Sequence, residues 1–144
     1  MTNMESMYDG ASSWDVSVVN NMRLMFNAAR SFNQDLNSWD VSGVTDMSFM
    51  FSEANSFTQD LSSWDVSGVN NMQGMFSYAR SFNRDLSWDV SGVTDMRRML
   101  MGASCFNKDL SKWDVGRAIG KMRKMFKNAS SLEKSPHWYE ENEI

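Results

Sequence analysis

The chain has 144 residues, a net charge of −4, one Cys, one His, and an apolar share of 42% made bulky by 14 Met, 9 Phe and 6 Trp. That length suits one domain with its own core. A single cysteine excludes an internal disulfide, and no apolar run approaches the roughly 20 residues of a membrane-spanning helix. Residues Met1 to Glu5 show neither the basic nor the apolar segment of a signal peptide.

Charge is uneven along the chain. Residues 1–79 carry two basic groups against nine acidic ones, whereas residues 80–144 carry twelve basic against nine acidic. The densest basic stretch, Arg97 to Lys127, holds nine Lys and Arg against Asp109 and Asp114.

At the start, Met4, Met7, Tyr8 and Ala11 have the spacing of one apolar face. Ala11 reaches Trp14 in three residues, while the corresponding Ala29 needs ten to reach Trp39, so residues 1–13 read as an abbreviated capping half-turn. From there the tryptophans set a register. Trp14, Trp39, Trp64, Trp88, Trp113 and Trp138 are separated by 25, 25, 24, 25 and 25 residues. The unit recurs over 14–38, 39–63, 64–87, 88–112 and 113–137, and 138–144 forms a C-terminal cap in which Trp138-Tyr139-Glu140 replaces Trp-Asp-Val. The short unit has Leu86-Ser87-Trp88 where the others have Leu-x-x-Trp, which places its missing residue in a loop. Self-similarity at this period marks stacked repeats, none of which buries its apolar face alone.

Within a unit, Leu-x-x-Trp-x-Val (Leu61, Trp64, Val66) alternates apolar and polar residues, which predicts a short half-buried strand. Next comes Met-x-x-Met-Phe-x-x-Ala. Met47, Met50, Phe51 and Ala54 lie at i, i+3, i+4 and i+7, predicting a short helix. Asn20, Thr45, Asn70 and Thr94, each followed by Asn or Asp, are its N-cap candidates. The expectation is an α/β repeat solenoid, one short parallel strand and one short helix per turn of about 25 residues.

Two acidic columns follow the repeat. Asp15, Asp40, Asp65, Asp89 and Asp114 each follow a Trp, with Ser17, Ser42, Ser67 and Ser91 two residues later. Strand alternation turns these carboxylates away from the core and stacks like charges. Local hydrogen bonding in an Asx-type turn relieves that repulsion, and so does a cation or a basic partner. Asp35, Asp60, Asp85 and Asp109 form the second column, with Asn33, Asn83 and Asn107 two residues earlier. Turn-forming ladders explain them better than a Ca²⁺ loop, which needs more ligands.

The paired methionines (Met22 and Met25 through Met122 and Met125) sit at core spacing, so gap-filling outweighs Cu(I) ligation. His137 lies in the closing cap, and Cys105 takes a position held by Ser31, Ser56, Ser81 and Ser131 in other units. No phosphate loop or metal-spaced cluster occurs, so the reading is non-enzymatic, with no catalytic residues, resident metal or cofactor. Arg97, Arg98, Arg123, Lys124 and Lys127 make a basic patch: a solvated face, or a site for an anionic partner or the acidic end of another copy. Without interleaved aromatics it is not read as a nucleic-acid surface.

The run Trp-Asp-Val-Ser-Gly-Val-Thr-Asp-Met-x-x-Met-Phe, followed by Ser-Phe-x-Gln-Asp-Leu-Ser-Ser-Trp (residues 39–64), resembles the repeat of BspA-like leucine-rich-repeat surface proteins, also found in mycoplasma-type surface lipoproteins. The resemblance covers roughly Thr2 to Trp138. It implies a right-handed, leucine-rich-repeat-like coil, a cell-surface or extracellular location, and adhesion or protein binding. The functional expectation is a binding module that meets a protein or glycan through its Asp/Ser face. The alternatives are a self-assembling structural element with head-to-tail electrostatic contacts, or a cation-binding repeat.

Overall fold

The computed structural model describes residues 8–140. Met4 and Met7 of the expected cap lie outside them, as does the end of the tail from residue 141. Among the described residues the chain is a string of turns laid over one another, and the expected architecture is not formed. The regular elements are two three-residue 3₁₀ segments, Ala11–Ser13 and Gly116–Ala118, and three isolated parallel bridges, Asn21 to Asp46, Asp46 to Asn71 and Asn71 to Asp95. Among the described residues neither the Trp-Asp-Val strand nor the Met-x-x-Met-Phe helix is formed, so the right-handed leucine-rich-repeat-like α/β coil is overturned.

The backbone hydrogen bonds explain the difference. In a helix each N–H is given four residues back within its own segment. Here Met22, Leu24, Phe26 and Ala28 instead donate to the carbonyls of Asp46, Ser48, Met50 and Ser52 in the next turn, at 2.8 to 3.1 Å. The residues between them close tight turns on themselves: Met25 to Met22, Asn27 to Leu24, Ala29 to Phe26. The same alternation carries Met47, Phe49, Phe51 and Glu53 to the next turn, then Met72, Gly74, Phe76 and Tyr78, then Met96, Arg98, Leu100 and Gly102. The four donors of each Met-rich segment point toward the later turn, while at its start Thr45, Asn70 and Thr94 donate the other way, to the carbonyls of Asn20, Thr45 and Asn70. Backbone groups are thereby satisfied between turns rather than within one.

Such a backbone needs a left-handed residue at every second ladder donor, that is, two per turn spaced four residues apart. Leu24, Ala28, Phe49, Glu53, Tyr78, Arg98, Lys124 and Asn128 have φ between 56° and 64°, and Gly74 and Gly102 hold the same places at 61° and 71°. Side chains other than Gly or Asn are strained there by roughly 1–2 kcal/mol each. Burial still falls on Met, Met, Phe and Ala: Met47, Met50, Phe51 and Ala54 are all fully buried. A helix and a chain of tight turns both face every third or fourth residue inward, so the spacing fits either.

The Asn or Asp placed after each N-cap candidate opens the ladder instead of a helix. Asn21, Asp46, Asn71 and Asp95 accept the N–H of Arg23, Ser48, Gln73 and Arg97 through Oδ1, at 2.8 to 3.1 Å. These are Asx turns, and the expected caps Asn20, Thr45, Asn70 and Thr94 cap no helix: Thr45 and Thr94 donate their hydroxyls to the carbonyls of Asn20 and Asn70 in the preceding turn.

The Trp register holds. Trp14, Trp39, Trp64 and Trp88 stack at 6.4 Å between ring centroids, with Trp39 and Trp64 tilted by 1° and Trp64 and Trp88 by 6°. The indole N–H of Trp64 reaches back one turn to the Leu36 carbonyl at 2.9 Å, which also accepts the backbone N–H of Trp39 at 3.0 Å. Trp88, Trp113 and Trp138 repeat the contact on Leu61, Leu86 and Leu110. Buried indole N–H groups are thus satisfied, which lets a column of Trp serve as core. The shortened loop at Leu86-Ser87-Trp88 loses its own tight turn yet keeps Trp88 in the column. Two phenylalanine columns fill the rest, Phe26, Phe51 and Phe76 at 5.5 Å and Phe32, Phe57 and Phe82 at 6.0 to 6.1 Å.

Outside the core, large residues fold over glycines of the following turn. A Cβ on Gly74 would come within 2.3 Å of the Phe49 ring, and one on Gly102 within 2.3 Å of Tyr78. Gly74→Ala therefore meets both an adverse φ and an occupied space, and should cost about 1–3 kcal/mol in denaturant unfolding. Adding Phe49→Ala should recover the steric part but not the φ part. A Gly74→Ala variant as stable as the parent would contradict the left-handed ladder.

Candidate functional site

The Asp/Ser positions come together as one exposed column. At Asp40, Asp65 and Asp89 a buried Trp precedes and a buried Val follows (Trp39 and Val41, Trp64 and Val66, Trp88 and Val90), which anchors the Asp outside the core; at Asp15 the following Val16 is buried but Trp14 is exposed. The Ser two residues on donates twice to the same oxygen. Ser42 N–H and Oγ reach Asp40 Oδ1 at 3.1 and 2.6 Å, and Ser67 reaches Asp65 at 3.0 and 2.6 Å. Ser17 on Asp15 and Ser91 on Asp89 do the same. The local Asx-type arrangement is therefore present, although the strands invoked to project the side chains are not. Asp114 departs from the pattern: Gly116 stands in place of Ser and supplies only its N–H, at 3.1 Å.

These hydrogen bonds set the electrostatics. The Ser hydroxyl, and after it the Ser N–H, holds the carboxyls of Asp15, Asp40, Asp65 and Asp89 below the usual carboxylate value. Neighbouring carboxylates oppose this weakly: Asp15 acts on Asp40, and Asp89 and Asp40 act on Asp65. Charge repulsion between successive turns is thus real but smaller than the local stabilisation. One oxygen of each carboxylate is pinned, and Oδ2 has no protein partner among the described residues.

Toward its later end the column borders an open groove of about 430 Å³ lined by Ser67, Ser91, Gly92, Asp114, Gly116 and Arg117. Gly92 permits close approach there, since a Cβ would lie 3.3 Å from the Ser67 carbonyl. No sequence motif marks this groove beyond Gly43, Gly68 and Gly92, which follow Ser42, Ser67 and Ser91. A second groove of about 420 Å³, on the cap side, is lined by Asn107 to Ser111 and Leu132 to His137, and Cys105 is not among its residues. No cluster of three His, Cys, Asp or Glu side chains suited to a metal ion occurs among the described residues.

The second acidic column also closes turns. Asp35, Asp60 and Asp109 accept the N–H of Asn37, Ser62 and Ser111. Beside it, side-chain amide oxygens bridge successive turns: Asn33 Oδ1 takes the Thr58 N–H at 2.9 Å, and Asn83 Oδ1 that of Asn107 at 2.9 Å. These are structural ladders.

The basic patch divides. Arg97 forms a bidentate pair with Asp95, Nε to Oδ1 at 3.0 Å and a terminal nitrogen to Oδ2 at 2.6 Å. Burial pushes the Asp95 carboxyl up, but the Arg97 hydrogen bonds and charge outweigh it and hold the group below its usual value. Arg98, Arg123, Lys124 and Lys127 face no carboxylate within 4.0 Å among the described residues, where the ion pairs are Arg97 with Asp95 and Arg30 with Glu53.

The fold and its columns define a repeat protein built of stacked turns. Two matches, over residues 1–87 and 86–143, are to the family described as Mycoplasma protein of unknown function, DUF285, and the chain belongs to that family. No curated protein and no solved structure matches it.

Removing one hydroxyl tests the pinning. In Ser42→Ala the Asp40 pKa should rise toward the unperturbed value of roughly 3.9, followed by carboxyl NMR titration. Because the folded pKa is depressed, the stabilisation from this contact is complete above the unfolded value and lost as pH falls through the folded one. The stability gap between parent and variant should therefore be widest near neutrality and close in acid.

Proposed function

We propose that the chain is a non-enzymatic binding module, displayed at a cell surface, that engages a protein partner carrying basic side chains through its Asp/Ser column. The observation behind this is the exposed row of Asp15, Asp40, Asp65 and Asp89, each held in one orientation by its Ser with a second oxygen left free. Pre-set acceptors at a fixed repeat lower the ordering cost of binding, and a row of one sign steers an oppositely charged partner. The likeness of residues 39–64 to BspA-like surface repeats supports surface display.

Asn keeps the Asx turn while removing the charge, so the triple variant Asp40→Asn/Asp65→Asn/Asp89→Asn isolates the electrostatic role. Binding of a Lys/Arg-rich peptide, measured by calorimetry, should weaken about tenfold or more, a loss of about 1.4 kcal/mol, with unfolding little changed. Undiminished binding by the folded variant would remove this reading.

The charge asymmetry supports a second one: acidic early turns of one copy meeting basic late turns of another. Light scattering should then show association at low salt that dissolves at high salt, and a monomer at all salt concentrations excludes it.

A further inference from the structure

Arg98, Arg123, Lys124 and Lys127 lie in two successive turns joined by the Arg98 N–H to Arg123 carbonyl bond at 3.0 Å. Arg98 and Lys124 occupy the same left-handed ladder position one turn apart, at φ 58° and 60°. Arg123 and Lys127 flank Lys124 in its own turn, and the ladder's carboxylate, Asp95, is already taken by Arg97. Four cations are thus gathered on one outer surface with no counter-charge among the described residues. Their mutual repulsion is visible at Lys124, whose ammonium is held below its usual value by Arg123 first, then Lys127, with Arg98 contributing least.

The backbone adds donors of the same sign. In each earlier turn the corresponding N–H groups are given to the next turn. Among the described residues those of Met122, Lys124, Phe126 and Asn128 find no acceptor, while the carbonyls of Lys121, Arg123, Met125 and Lys127 are already occupied from below. An ordinary β-strand edge offers both donors and acceptors. Over residues 121–128 this one offers donors only, so its complement there is a row of acceptors.

We infer that the surface formed by Arg98, Arg123, Lys124 and Lys127 binds a polyanionic chain carrying sulfate groups. Guanidinium and ammonium groups beside free N–H donors suit the tetrahedral oxygens of such groups. Charges spread over two turns without a pocket favour a polymer over a single ion. Single-stranded nucleic acid is disfavoured because it needs exposed rings on which bases stack. The aromatic residues of these two turns, Trp88, Phe106, Trp113 and Phe126, are buried, and Tyr139 covers Phe126 at 4.9 Å. This inference is independent of the acidic column on the Asp/Ser face.

The test uses the full chain and a heparin oligosaccharide as probe, titrated between about 50 and 200 mM salt. Binding should show a log–log salt slope of about 3 to 4. The variant Arg98→Ser/Arg123→Ser/Lys124→Gly/Lys127→Ser should lose about tenfold or more in affinity. A control that removes as many charges elsewhere, Lys108→Ser/Lys112→Ser/Arg117→Ser/Lys134→Ser, should lose far less. Amide shift changes at residues 98 and 122–128 on heparin addition to the parent chain locate the site even where the first variant folds poorly. Equal loss in both variants, or none in either, overturns the inference. So does oligo-dT binding as tightly as heparin, or inorganic sulfate competing at equal sulfate concentration. Salt-sensitive dimers that vanish in the first variant, with no heparin bound, would assign the surface to a second copy instead.

Discussion

The inter-turn hydrogen bond is the constraint on which the molecule rests. At every second residue of the Met-rich segment the N–H has no acceptor within its own turn and finds one in the turn that follows, as Phe51 does on Met75 and Phe76 on Met99. An isolated turn would have four such donors unpaired, and each buried one costs about 1–3 kcal/mol. Burial points the same way, because Met47, Met50, Phe51 and Ala54 become a core only when neighbouring turns cover them. Stability therefore belongs to pairs of turns.

The same constraint accounts for residues that look misplaced. Leu24, Phe49, Arg98 and Lys124 tolerate positive φ because the ladder bonds on either side fix it. Phe49 and Tyr78 are accommodated because the next turn carries Gly74 and Gly102 beneath their rings. The aromatic columns then follow the spacing that the ladder imposes, with Trp indoles anchored on carbonyls one turn back.

Much of this was legible in the residues. The Trp spacing announced the stacking, the period located the tolerated deletion at Ser87, and Asp-x-Ser announced the Asx turns that pin the exposed carboxylates. The backbone was not legible by spacing alone. Inward positions at i, i+3, i+4 and i+7 suit helices and successive tight turns equally. The discriminating residues were present: Gly74 and Gly102 stand inside the expected helices, where glycine is costly, and they recur at the two left-handed positions of the repeat. The strand expectation failed for a related reason. Trp-Asp-Val alternates in burial, but the N–H two residues after the Asp is taken by its Oδ1 in the local turn, and pairing between turns is made by the Met-rich segment instead. The donor-only character of the late turns has no sequence signature, because it arises from which carbonyls the tight turns have already used.

Four forward bonds per turn outnumber the one or two that run back, and that excess gives the molecule a direction. Peptide dipoles that cancel in ordinary sheets add along this stack, in the manner of a helix, making the late turns electropositive before any side chain is counted. Arg and Lys accumulate at that same pole. Any grafted turn must keep the orientation of its neighbours: a copy spliced in register can extend the array, whereas one inverted would set donors against donors and split it in two.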